Sequence, residues 1–95
     1  MPYSNHKHLW NTERKLIELS ILRVFLAAAE EKNFSSAAKR LHLSQSAVSQ
    51  NIQAMEKVYG VDLFIRHGRA VELSEVGLAI LPMARDVLRA ARLLD

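Results

Sequence analysis

The sequence predicts a mainly α-helical domain with one small β-hairpin and a long closing helix. Three observations carry this. Apolar residues recur at helical spacing in the segments around Leu22, Val48 and Val87, a short alternating stretch interrupts them between Val61 and Leu73, and Ser or Gly stands near most junctions.

Residues 1–15 are polar apart from a few positions such as Leu9 and Trp10, keep no period, and read as part of a flexible extension over residues 1–17. From Leu19 the pattern changes: Leu22, Phe25, Leu26 and Ala29 follow i, i+3, i+4, i+7, giving a first helix through Glu31. Lys32-Asn33-Phe34 breaks it, Ser35 or Ser36 is expected to cap a short second helix containing Ala37, Ala38 and Leu41, and His42-Leu43 forms a tight turn. Ser44 then caps a third helix from Gln45 to Tyr59, and Gly60 closes it in the left-handed conformation that suits a helix end.

Beyond Gly60, Val61, Leu63 and Ile65 alternate with Asp62, Phe64 and Arg66, and Val71 and Leu73 flank Glu72, so two strands are expected around a basic tip, His67-Gly68-Arg69. Ser74 caps the last helix, Glu75 sits where the helix dipole favours an acid, and Pro82 is expected to bend the helix by removing one backbone bond. Its Ile80, Ala84, Val87, Ala91 and Leu94 step by fours and threes, with Leu81 and Leu88 widening the stripe, which is spacing for pairing two copies. The alternative is that the stripe packs on the first helix of its own domain. The domain proper is therefore expected over residues 18–73 and the linker or dimerisation helix over 74–95.

Composition narrows the classes. At 95 residues, 49% hydrophobic and 24% charged, the chain is one small soluble domain, and domains of this size bury only about 60–65% of their unfolded surface, so a partner subunit is expected. With no cysteine there is neither a disulfide scaffold nor a thiolate zinc site, which suits a reducing cytoplasm. Apolar runs such as Val24 to Ala29 are far too short for a bilayer span, so no membrane partner is expected. Net charge is only +3, but it is concentrated: residues 35–70 hold Lys39, Arg40, Lys57, Arg66 and Arg69 against Glu56 and Asp62.

The third helix is the most informative element. At 100° per residue, Val48, Ile52, Met55 and Tyr59 fall on one side and Ser46, Ser49, Gln50, Gln53 and Lys57 on the other. Glutamine offers a donor and an acceptor in one plane, matching the N6/N7 edge of adenine, and serine serves either polarity. No carboxylate on that stripe would repel phosphate. A merely polar surface would look the same. The arrangement favours recognition: a short helix, a turn of about three residues and a second helix with small polar side chains at its front is the helix-turn-helix layout, and the basic hairpin makes it winged. Arg66 and Arg69 can reach phosphates or a narrow minor groove from that wing.

Leu22-Arg23-Val24-Phe25 with Ala27, Ala29 and Glu30, then Asn33-Phe34-Ser35 and Ala37-Ala38, then the run from Leu41 to Ser49, resemble the DNA-binding domain of LysR-type transcriptional regulators. Glu56, Gly60, Val61, Leu63-Phe64, Arg66, Arg69, Leu73-Ser74 and Gly77 agree, so the resemblance covers residues 18–94. It implies a winged helix-turn-helix, a dimerising linker helix and, in complete regulators, a C-terminal two-lobed domain that binds a small-molecule inducer. No cofactor is expected within these 95 residues. It further implies that Gln45, Ser46, Ser49, Gln50 and Gln53 meet the major groove of double-stranded DNA, with Ser44, Lys57, Arg66 and Arg69 on phosphates or at the wing. A homodimer through Ile80, Ala84, Val87, Leu88, Ala91 and Leu94 would read a near-palindromic promoter site, and full-length assembly as a tetramer is compatible with the family. Ser46 departs from the proline frequent there, and Gln50 stands where arginine is common, so the target sequence does not transfer.

An enzyme would need a nucleophile with its base, a carboxylate pair or metal ligands. His6 and His8 lie in the extension, His42 in the turn and His67 at the wing tip, while Gly60, Gly68 and Gly77 are too widely spaced for a phosphate loop. The rival is a protein-interaction module on the same scaffold, whose binding would be insensitive to Gln45, Ser49 and Gln50.

Overall fold

The computed structural model describes residues 17–94. The expected N-terminal extension lies outside them except for Ile17, which packs against the core. The elements follow in the order α1 (Leu19–Glu31), α2 (Phe34–Leu41), α3 (Gln45–Tyr59), β1 (Phe64–His67), β2 (Ala70–Leu73) and α4 (Glu75–Leu94).

Helices α1, α2 and α3 pack on one another through Val24, Phe25, Ala28, Ala37, Ala38, Val48, Ile52 and Met55, all nearly or wholly buried. The larger of these side chains each contribute about 1.5–3 kcal/mol on leaving water. The alanines of α2 let its backbone come close to both neighbours. Phe64 closes the floor, its ring centroid 5.6 Å from that of Phe25 and 5.5 Å from that of Phe34, the second pair edge to face, a geometry that aromatic quadrupoles favour.

Each helix end is settled locally. Helix α1 ends in a left-handed Lys32 (φ 58°) whose N–H donates to the Ala28 carbonyl. Helix α2 is capped not by Ser35 or Ser36 but by Asn33, whose Oδ1 accepts from the Ser36 N–H at 2.9 Å. Asparagine suits that extended cap position as well as serine does, and the helix consequently starts at Phe34, two or three residues earlier than a cap at Ser35 or Ser36 would place it. At its other end His42 takes φ 59°. Its N–H donates to Lys39 and the Leu43 N–H to Ala38, the paired bonds of a Schellman motif. The expected caps Ser44 and Ser74 are both present: Ser44 Oγ accepts from the Ala47 N–H at 3.0 Å, and Ser74 Oγ from the Gly77 N–H at 3.0 Å.

The hairpin is shorter than its alternation predicts. Strand pairing begins at Phe64, and Leu63 and Phe64 are both buried while Ile65 is exposed. The reason is Glu56: its Oε2 accepts from the Leu63 N–H at 2.7 Å and the Phe64 N–H at 3.4 Å, so the chain enters the sheet bonded to a side chain, out of the strand period. His67 pairs with Ala70, leaving a turn of Gly68 and Arg69 alone. Gly68 has φ +62° and Arg69 does not have positive φ, the pattern of a type II′ hairpin turn, whose first position glycine fills without strain. Tyr59, expected on the buried side of α3, is instead half exposed at its last turn. Helix α4 continues past Pro82 to Leu94.

Candidate nucleic-acid interface

Helix α3 separates its two faces as the sequence suggests. Val48, Ile52 and Met55 are fully buried, whereas Gln45, Ser46, Gln50, Gln53 and Lys57 are exposed and Ser49 is half buried. Ser44 is also exposed, but its oxygen is engaged in capping. Gln45 is held too: Ser35 Oγ donates to its Oε1 at 2.8 Å, joining the first turns of α2 and α3.

The wing stands beside this face, tied to the junction between α1 and α2. The Val71 N–H donates to the Lys32 carbonyl at 3.0 Å, Asn33 bridges to Ala70, and Asn33 Nδ2 donates to the Arg69 carbonyl at 3.2 Å. The Arg66 guanidinium lies over the Phe34 ring, 4.8 Å from its centroid, a cation–π contact that aligns a long side chain. Ser35, Gln45, Arg66 and Arg69 thus line one cleft between the helix-turn-helix and the wing.

The basic excess of the middle segment is not all available. Arg40 is engaged by Glu30 at 2.8 Å and Glu31 at 3.2 Å. Glu30 also meets Arg85 at 3.4 Å. Its carboxyl is held below the ordinary range, chiefly by the Arg40 hydrogen bond, against a smaller opposing effect of burial. His67 pairs with Glu72 at 2.8 Å. Lys39, Lys57, Arg66 and Arg69 have no acid within ion-pair distance among the described residues. Two of the four are on the wing. With the acids of α1 answered by Arg40 and Arg85, and Glu56 turned to backbone amides, positive charge is left on the face that carries the glutamines.

The expected dimerisation set divides. Ala84 is buried against its own domain, and Ile80, Leu88 and Ala91 are half buried, so this stripe serves the intramolecular packing of α4. Val87 and Leu94 are exposed. They belong to an adjacent apolar line, Val76, Ala79, Met83, Val87, Ala90 and Leu94, every member of which faces solvent. Heptad spacing alone could not rank two stripes lying a fraction of a turn apart. Asn33 and Ser35 are the positions that sequence reasoning undervalued. In the sequence Asn33 reads as part of a helix break, and the signal that marks it as a cap is an amide residue directly before a helical run.

Three packed helices, the third presenting a polar exposed face, followed by a two-stranded wing, define a winged helix-turn-helix domain. Residues 19–78 match the model of the bacterial regulatory helix-turn-helix protein, lysR family. The chain is 49% identical over 72 residues, 76% of its length and 50% of the relative's, to an HTH-type transcriptional regulator in the ibpB-leuC intergenic region of Azotobacter vinelandii. It is 47% identical over 76 residues, 80% of its length and 26% of the relative's, to the HTH-type transcriptional regulator TfdS of Cupriavidus pinatubonensis. A solved CbnR DBD–DNA complex is similar with a TM-score of 0.75 and 43% identity, over 78% of this chain and 85% of that one. The chain belongs to the LysR family of bacterial helix-turn-helix regulatory proteins, and it spans between a quarter and half the length of these two relatives.

Proposed function

We propose that this chain binds double-stranded DNA in a sequence-specific manner, as the DNA-binding part of a transcriptional regulator. The observation that carries the reading is the exposed face of α3, in which Gln45, Ser46, Ser49, Gln50 and Gln53 stand opposite a fully buried apolar face and beside a wing whose Arg66 and Arg69 have no acidic partner among the described residues. The glutamines and serines choose bases in the major groove; Lys57 and the wing arginines hold phosphate or the minor groove and set affinity. Family membership and the similarity to a solved CbnR DBD–DNA complex support this assignment.

The unit that binds is a homodimer joined through α4, by Val76, Met83, Val87 and Leu94 rather than by Ala84, on a near-palindromic site. In the complete regulator, in the cytoplasm, a small-molecule inducer acts on a further domain. A catalytic role is not part of this reading, the relatives being transcriptional regulators. No helix among the described residues is long and apolar enough to cross a membrane.

Selection from a random duplex pool, followed by a salt titration on the enriched sequence, tests the proposal. A symmetric motif whose log affinity falls linearly with log salt is expected; recovery of no preferred sequence would overturn it.

A further inference from the structure

Resting on that reading, we propose that Ser35 is a positioning residue that sets which bases Gln45 selects. Free glutamine is ambivalent: its oxygen accepts and its nitrogen donates, which is why it pairs with adenine through N6 and N7 together. Here Ser35 Oγ donates to Gln45 Oε1 at 2.8 Å. The oxygen is therefore directed at α2 and the two Nε2 hydrogens are left to face outward. Gln45 acts as a donor and selects a base edge rich in major-groove acceptors, guanine (O6, N7) or thymine (O4), over adenine and cytosine, whose exocyclic amines would meet it donor to donor.

Two further features favour this amide orientation over the reverse. The cleft that Ser35 and Gln45 share is lined by Arg66 and Arg69, so the negative end of the amide dipole is stabilised by pointing into it and the positive end by pointing out. Both partners are also anchored at the backbone, Ser35 one residue into a helix capped by Asn33 and Gln45 directly after the Ser44 cap. A side chain held before binding loses less freedom on binding. The bond thus contributes selectivity without itself touching DNA.

The test uses the 95-residue chain and its pool-selected duplex. The base pair whose preference disappears in Gln45→Ala is varied through all four bases. Wild type is expected to prefer guanine or thymine at that position. Ser35→Ala should reduce this preference about five- to tenfold, letting adenine in, with random-duplex affinity changed less than about twofold. Ser35→Thr, which keeps the hydroxyl, should restore the wild-type profile, and in the Gln45→Ala background Ser35→Ala should have no further effect on the profile. An unchanged four-base profile for Ser35→Ala, or equal losses on selected and random duplexes as a phosphate contact would produce, would overturn the inference while leaving base reading by Gln45 intact. A Gln45→Ala variant that relaxes no position would remove both.

Discussion

Asn33 reaches Arg69 across 36 residues of sequence: its Nδ2 donates to the Arg69 carbonyl while its Oδ1 caps α2 through the Ser36 N–H. One amide therefore sets both the start of the second helix and the height of the wing tip. The two halves of the proposed interface meet at this residue.

Replacing it separates the two roles. Asn33→Asp keeps an acceptor for the cap but loses the donor to the wing, whereas Asn33→Ala loses both. The alanine variant should lose about 1–2 kcal/mol in urea unfolding and the aspartate variant markedly less. Both should weaken DNA binding, because the wing is released in each. Equal destabilisation of the two variants would show that the cap is not the main structural role.

Gly77 is a packing requirement rather than a flexible point. A Cβ there would overlap the Leu63 carbonyl oxygen and lie 2.9 Å from Leu73 Cδ2, and that carbonyl is already fixed by the Ser74 N–H at 2.9 Å. Alanine is the better helix former by about 1 kcal/mol, yet Gly77→Ala should destabilise by roughly 1–3 kcal/mol because backbone must move. A urea midpoint at or above wild type would contradict this packing.

Two substitutions on α4 distinguish the stripe that stabilises the monomer from the one assigned to pairing. Val87→Glu should leave the helical content and thermal midpoint of the dilute protein nearly unchanged and weaken self-association at least about a hundredfold in sedimentation equilibrium. Ala84→Glu should instead unfold the domain, since it buries a charge among apolar neighbours. Unaltered association of the Val87→Glu variant would exclude the outward stripe from the dimer interface.

The Glu30 cluster sets an acid response. Because Arg40, and secondarily Arg85, lower the Glu30 carboxyl in the folded state, its stabilisation is fully present above the unfolded value of 4.5 and is lost as pH falls through the lower folded value. The side chain is one-third exposed, so the contribution is under about 1 kcal/mol. Glu30→Gln should be slightly less stable than wild type near neutral pH, the difference closing below pH 4.5. A difference that persists unchanged at low pH would refute the ion-pair account.

Periodicity made the helices legible because burial at Val48, Ile52 and Met55 obeys a single period. It also separated the polar, largely exposed stripe of α3 from the buried one, since the stripe opposite Val48, Ile52 and Met55 is wholly polar. What escaped it depends on contacts between distant segments. The Glu56 carboxylate displaces the strand start from Val61 to Phe64, and nothing local announces that bond. Asn33 was concealed because Ser35 and Ser36, equally good caps, follow it within three residues. On α4 two apolar stripes share one helix, and only the position of α1 decides that Ala84 points inward and Val87 outward.

The most direct test measures Gln45→Ala, Ser49→Ala and Gln50→Ala on the selected duplex and on random duplex at one salt concentration. Substitutions in a base-reading face should cost about 1–3 kcal/mol on the selected sequence and far less on random DNA. Equal losses on both, or none on either, would contradict the assignment of this face to base recognition.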